Sequence, residues 1–416
     1  MKLHAAQAGE ATGSFPYPRQ WLDTQSEEIA RSVGKWSDTE LIAKRLEQRE
    51  DVEHQMRALT ILSKDLGVDR FIWPEHEEDD GFTFPEAAST LVRAYEEIGR
   101  GDAGLGFISG VKVALAAVLM ENGRVDESLR REINAVFHAE KLELIALVMP
   151  GLGDVSRGAR PTLFGREVQA ELTRTKDGWS LNASGARPLN SGTNAALFAV
   201  VASHAGGFAL ALVPASSPGV KRGKALTMAG LRASRNAEID FSGVSLEDER
   251  VLPLEKSSFQ RLLTWIDLLG SAVAIGSGLD AYRIVRDWAE NRVIKTGGLL
   301  KENSMDAAVL AQVAMDILLA RIAVHSLGRA VACPGEFGVA SGDDLAAFAA
   351  TVRVSVMDQV LHAINRAMEM MGSAGYAKEW NIEKHWRDVN TLKTTLGGRI
   401  PVEMDVARTY YGSMQI

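Results

Sequence analysis

The chain has 416 residues, 46% of them apolar, and a formal net charge of −8 with acids and bases interspersed. That charge argues against a nucleic-acid or anionic-membrane surface, and the length is enough for two or three domains. A single cysteine, Cys333, excludes an internal disulfide and reads as a small buried apolar residue. No unbroken run of about 18 apolar residues is seen, so no membrane-spanning helix is expected. The first residues lack the apolar core of a secretory signal, and a cytoplasmic protein is the expectation.

Residues 1–22 read as a loose leader. Helical periodicity then runs from about Ser26 to Lys141, with Ser37-Asp38-Thr39-Glu40 as a helix start. Leu59, Leu62, Leu66 and Val68 form its apolar stripe, and Val111–Met120 is apolar on nearly all sides, as a buried helix is. The acidic stretch Trp73–Gly81 reads as a solvated linker.

After Leu144 the pattern changes to short runs rich in Val, Leu, Phe and Thr, broken by turn residues. Val168–Arg174 alternates, Asp177-Gly178 turns, and Trp179–Asn182 returns. Leu197–Ala202 and Phe208–Val213 make a second pair across His204–Gly207, and Ala237–Phe241 is a further strand. Helix resumes at Ser257, with Leu263, Ile266, Leu269, Val273 and Gly276 on one face and a break expected near Gly276 or Gly278. Lys295–Asn303 is a polar connection. Met305–Val331 is helical, with Leu310, Val313, Ile317 and Ile322 spaced for burial. Ser341–Asp344 caps a last long helix whose stripe runs from Leu345 through Phe348, Val352, Val356, Ile364 and Met368 to Met371. The fold class is therefore α+β multidomain: a helical domain over 1–143, a β-barrel-like domain over 144–252 and a four-helix bundle over 253–416. No internal repeat or low-complexity segment is present.

The stretch Met370–Asp388 carries the most specific signal. Gly372 and Gly375 read first as a helix C-cap. They open a longer ordered run: Gly372-Ser373-Ala374-Gly375-Tyr376, then Glu379, Glu383-Lys384 and Arg387-Asp388. This run resembles the GGxGYxxExxxERxxRD signature of the acyl-CoA dehydrogenase family. Glu96-Glu97-Ile98-Gly99-Arg100-Gly101-Asp102 resembles the family's EExxRxD. Ala146–Gly153 is similar to ALTEPxxG, Trp179–Asn182 to YxLNG, and Asn190 stands where the WITN asparagine falls. Pro218-Gly219-Val220, Gly230–Ser234 and Ile239–Val244 are similar to three further family motifs.

The resemblance implies an α–β–α fold, bound FAD, an acyl-CoA substrate, a tetramer and an electron-transfer flavoprotein as electron acceptor. It assigns flavin contacts to Leu147, Val148, Gly153, Leu189, Asn190, Arg292, Glu369, Gly372 and Gly375. Family members abstract an α proton with a carboxylate base and pass a β hydride to the flavin. The usual glutamate lies eight residues after the Asp of the RD pair, which here is Leu396. Members with the base elsewhere carry it on the first bundle helix before an arginine, where this chain has Ile266-Asp267. Asp267 is thus the candidate base, set against a capping or ion-paired role; Asp102 is read mainly as a helix-terminal structural residue.

Several flavin positions are changed: Arg187-Pro188-Leu189 replaces WIT, Val148 and Asp154 replace Thr and Ser, and Glu369 replaces a glutamine near the phosphates. Groups acting on a neighbour's flavin persist better than those holding the chain's own. Three readings follow: an acyl-CoA dehydrogenase with a relocated base, a non-catalytic subunit paired with a catalytic paralogue, and a flavin-dependent monooxygenase of the same fold. No metal site is read.

Overall fold

The computed structural model describes residues 15–75, 81–121, 125–151, 160–295 and 297–412. Helix α1 (Thr24–Trp36) starts where Asp23 accepts a 2.7 Å hydrogen bond from the Ser26 backbone N–H. No helix begins at Ser37, as the sequence pattern had implied. The chain continues through a π-helical turn, Ser37–Ile42, in which Ser37 is wholly buried. Asp38 finds Arg100 at 2.8 Å instead of capping. Helices α2 (Val52–Thr60), α3 (Ala88–Gly101), α4 (Ala103–Glu121) and α5 (Glu127–His138) complete this region. Leu59 and Leu62 are buried in it, whereas Leu66 is exposed. Trp73 is also buried, stacked 5.6 Å from Phe137 and donating 2.6 Å to Asn134. The acidic stretch is therefore anchored at its start, while Glu75 and Gly81 are exposed; its residues 76–80 lie outside the described residues.

Eight strands form one mixed sheet: β1 (Ile145–Val148), β2 (Ala170–Thr175), β3 (Gly178–Ala186), β4 (Leu197–His204), β5 (Gly207–Pro214), β6 (Val220–Ala225), β7 (Ala237–Leu246) and β8 (Val251–Pro253). The order is β8-β5-β4-β2-β3-β7-β6, with β1 also on β4. Strands β1 and β2 pair in parallel with successive halves of β4, so one strand edge serves two partners. The hairpins fall as their turn residues demand: Thr175 faces Gly178 and His204 faces Gly207. The nearly unbroken apolar runs of β4 and β5 follow from burial on both faces. Phe198, Val200 and Ala202 fill the sheet's own core with Phe241 and Ile239, while Leu197, Ala199 and Val201 face the helices.

Helix α6 (Lys256–Asn291) is 36 residues long and does not break at Gly276 or Gly278. These glycines are there for proximity, not flexibility. A Cβ on Gly276 would overlap the Glu96 carbonyl of α3, and one on Gly99 would overlap the Val273 carbonyl. The two helices cross at backbone contact, sealed by Ser277 Oγ donating to the Gly99 carbonyl at 3.3 Å. Helices α7 (Ser304–Ala332), α8 (Gly342–Met371, capped by Ser341), α9 (Ile382–Thr394) and α10 (Arg399–Tyr411) complete the bundle.

Three expectations change here. Cys333 is only partly buried, and Ile322 is exposed although its neighbours Val313 and Ile317 are core. The third concerns membranes: Ala103–Met120, Lys256–Asn291 and Ser304–Ala332 are each long and apolar enough to cross one. Isolated glycines and polar residues interrupt them, which hid them from a search for unbroken runs. The apolar stretches of the first two are 94% buried inside the protein, and that of α7 only 28%.

Buried charges tie the helices together. Glu96 on α3 takes both arms of Arg321 at 2.8 and 2.7 Å and His325 at 3.1 Å. Burial pushes its carboxyl up, but Arg321 and His325 outweigh that and hold it below the usual range. Asp280 on α6 gathers Arg45 at 2.8 Å, Arg283 at 2.7 Å and His385 at 2.8 Å. Burial is again outweighed there, chiefly by Arg283 and Arg45, and the carboxyl lies well below its ordinary value. Lys384 on α9 bridges Asp102 at 2.9 Å and Asp388 at 2.6 Å. Asp102 also caps α4 through the Leu105 N–H at 3.0 Å, and Asp388 accepts the Leu231 N–H at 2.7 Å. One ammonium thus joins the first helices, the sheet loops and the last helices.

Two tests follow. Gly276→Ala should destabilise the fold by about 2–3 kcal/mol through overpacking. Gly270→Ala, whose Cβ would meet nothing within 4 Å, should leave stability unchanged or raise it by up to about 1 kcal/mol. Equal urea midpoints for the two would contradict the crossing. For acid, both Glu96 and Asp280 have native values lowered from ordinary values of 4.5 and 3.8. The stability they add is complete above those values and is lost as pH falls through the lowered native ones. Urea unfolding between about pH 5 and pH 2 should therefore show a falling midpoint, with a shallower slope in Asp280→Asn.

Candidate functional site

A cavity of about 700 Å³ lies between the sheet and the junction of α9 with α10. Val148, Leu189, Leu231 and Leu396 supply apolar wall; Asn236, Thr391 and Thr395 supply polar groups. Its volume is that of a site for a flat ring or an extended acyl arm. Among the described residues, Glu238 is the one carboxylate on its lining. Glu238 is half-exposed and paired with Arg187 at 2.5 Å.

The site candidates separate into three places. Val148 and Leu189 face the cavity. Leu147 and Asn190 do not line it. Leu147 is core, and its carbonyl accepts the Leu189 N–H at 2.8 Å. The wholly buried Asn190 amide donates to the Ile145 carbonyl at 2.9 Å and accepts from the Leu147 N–H at 3.2 Å. Both therefore pin β1 to the 187–191 segment. Gly153 and Asp154 lie outside the described residues.

The third group, Arg292, Glu369, Gly372 and Gly375, sits at the ends of α6 and α8, away from the cavity lining. Gly372 has φ +62°, a conformation costly for other residues. A Cβ on Gly375 would press on the Met368 carbonyl. Both glycines are thus dictated by the backbone. Gly372 and Arg292 are exposed. Arg292 lies 5.4 Å over Trp288, which meets Trp380 edge-on at 4.9 Å. Glu369, a charge that would repel phosphate if bare, is paired with Arg366.

Leu396 closes the cavity where the family resemblance puts the base. It is 5% exposed and has φ +57°, ψ +27° inside the turn Thr395–Gly397. Gly397 and Gly398 follow at φ +87° and +80°, so the chain reverses through three left-handed residues. A leucine held so costs on the order of 1–2 kcal/mol, and its side chain accepts no proton.

Asp267 is turned elsewhere. Its Oδ1 accepts 2.6 Å from Arg353 Nη1, and it lines a separate cavity of about 130 Å³ between α6, α8 and α10. Burial pushes the Asp267 carboxyl up, against the opposing pull of Arg353. Ile266 is packed in the core. Sequence reasoning missed Arg353 and Lys384, since the partners of a buried cation far apart in sequence leave no local pattern.

The family model for "Acyl-CoA dehydrogenase, C-terminal domain" matches residues 268–396. The bovine mitochondrial short-chain specific acyl-CoA dehydrogenase is 26% identical over 344 residues, 81% of this chain and 79% of that protein. The short-chain specific acyl-CoA dehydrogenase of Megasphaera elsdenii is 24% identical over 307 residues, covering 72% and 76%. Among solved structures, butyryl-CoA dehydrogenase from M. elsdenii superposes with a TM-score of 0.76 at 20% identity, over 93% of this chain and 98% of that one. Glutaryl-CoA dehydrogenase from Mycobacterium smegmatis in complex with FADH2 gives 0.75 at 18% identity, over 95% and 96%. These two likenesses establish the fold. Taken with the family model over residues 268–396 and the relatives matched over three quarters of their length, they lead to one conclusion: the chain has the acyl-CoA dehydrogenase fold, and its C-terminal part matches that family's C-terminal domain.

Proposed function

We propose that this chain is a subunit of a heteromeric, FAD-dependent acyl-CoA dehydrogenase in which a paralogous subunit removes the α proton. The observation that carries this reading is Leu396, an apolar side chain closing the cavity at the position of the family's base. Asp267 does not replace it, because its carboxylate is engaged by Arg353 and opens on a different cavity. Glu238 is half-exposed and held by Arg187 at the rim.

The residues present fit a flavin in part. The apolar wall of Val148, Leu189 and Leu231 suits a flat ring, and the exposed Arg292 and the Gly372–Gly375 turn suit the phosphate end of a neighbour's FAD. Bound FAD supplies the hydride acceptor for α,β-dehydrogenation of an acyl-CoA thioester. This chain's part is to shape the cavity, exclude water with its apolar wall, and present Arg292 and the glycine turn outward. An electron-transfer flavoprotein takes the electrons onward.

The test is native purification followed by a flavin-to-chain count and anaerobic flavin bleaching with butyryl-CoA. The expected outcome is a second family subunit, half as many flavins as chains, and no bleaching by this chain alone. An isolated chain that retains one FAD each and is bleached by the thioester contradicts the proposal and makes Glu238 the first base to replace. Dependence of turnover on O2 and a reductase would instead assign a monooxygenase.

A further inference from the structure

Arg353 lies midway along α8 and is buried. Its Nη1 meets Asp267 of α6, but its Nη2 is directed to the turn that closes the large cavity. It donates to the Thr395 carbonyl at 2.8 Å, to Thr395 Oγ1 at 2.7 Å and to the Leu392 carbonyl at 3.3 Å. Thr395 Oγ1 in turn donates to the Leu392 carbonyl at 2.7 Å. These acceptors stand at the end of α9, where helix carbonyls lack partners and carry partial negative charge.

The residue after Thr395 is Leu396, in its left-handed conformation. Such a conformation persists only where surrounding contacts over-determine it. Arg353 supplies those contacts from inside. On the outside, Lys393 and Arg399 both reach Asp358 of α8, Lys393 at 2.6 Å. That outer cluster is partly solvated and holds weakly. The inner one is more deeply buried, with Arg353 and Leu392 closed off and Thr395 half-buried, and its geometry needs the planar fork of a guanidinium. Asp267 makes no hydrogen bond to the turn; its partner is Arg353. It balances a charge that would otherwise be buried alone.

We propose that Arg353 is the positioning residue of the cavity wall, with Asp267 as its counter-ion: it sets the Thr395–Gly397 turn and hence the shape presented to a thioester or flat ring. The identity of that ligand rests on the functional reading above; the positioning does not. It also gives Asp267 a role that leaves proton transfer aside.

The discriminating variant is Arg353→Lys, which keeps a cation beside Asp267 but cannot fork to Leu392 and Thr395. Thr395→Val removes one acceptor at an unaltered charge, and Thr395→Ser restores it. In the native assembly, hydrogen–deuterium exchange over residues 392–400 should rise at least tenfold in Arg353→Lys and severalfold in Thr395→Val. It should return to the wild-type rate in Thr395→Ser. Butyryl-CoA affinity, titrated calorimetrically, should weaken in the same order. Should Arg353→Lys fail to fold, the threonine pair decides alone. Wild-type exchange and affinity in Thr395→Val would overturn the proposal. A wild-type assembly that binds no butyryl-CoA would sink the functional reading instead, leaving exchange to judge the positioning.

Discussion

The fold depends on charges kept out of water only because each meets its opposite. Lys384 is the central case, an ammonium closed between Asp102 and Asp388. Burial lowers its proton affinity, and the two carboxylates more than reverse that, so it stays charged. Removing the ammonium from such a set leaves two uncompensated buried carboxylates, at a cost of about 3–5 kcal/mol. Asp102 also starts α4 and Asp388 also holds the Leu231 loop against α9. The same three side chains therefore fix the sheet loop, the first helices and the helix that ends at the cavity. Motifs that resemble a cofactor signature turn out to be the joinery that gives the cavity its walls.

Within that frame the cavity is walled by apolar side chains and one strained turn. Its closing turn has a strained, left-handed backbone, and a buried arginine bonds to that turn. Its side chain at the decisive point is a leucine. A carboxylate there would need desolvation and a raised proton affinity to act as a base; leucine needs only burial. The buried Asp267, the other candidate for a base, serves the arginine that holds the wall. Arg292 and Gly372 are exposed at the ends of α6 and α8, away from the cavity lining. This division between an apolar cavity wall and an exposed arginine with its glycine turn is the physical basis for the proposal that the chain is one half of a shared site.

How far the sequence spoke for itself varies with the range of the interaction. Hairpins at Asp177-Gly178 and His204–Gly207 were legible, because turn chemistry is local. The alternation of β1, β4 and β5 between two cores was hidden, since residues buried on either face are equally apolar. Ser37 resembled a helix start because capping patterns are short; its burial and the Asp38–Arg100 pair come from a distant helix. Gly276 looked like a break until the backbone of α3 was known to lie against it. Leu396 could be found by counting from Asp388. Arg353 could not, since it stands 86 residues from Asp267 in sequence and 42 from Thr395. The interior ion sets of Glu96 and Asp280 are of the same kind: the acids were visible, their partners were not.

The central claim is that, among the described residues, no carboxylate of this chain reaches the α carbon of a thioester in its cavity. A structure of the native assembly with a bound, non-reacting acyl-CoA thioether analogue tests it most directly. The account predicts Leu396 in van der Waals contact with the analogue where it enters this chain, with any carboxylate at its C2 belonging to the partner subunit. A carboxylate oxygen of this chain, from Asp267, Glu238 or elsewhere, within hydrogen-bonding distance of the C2 hydrogen would contradict it.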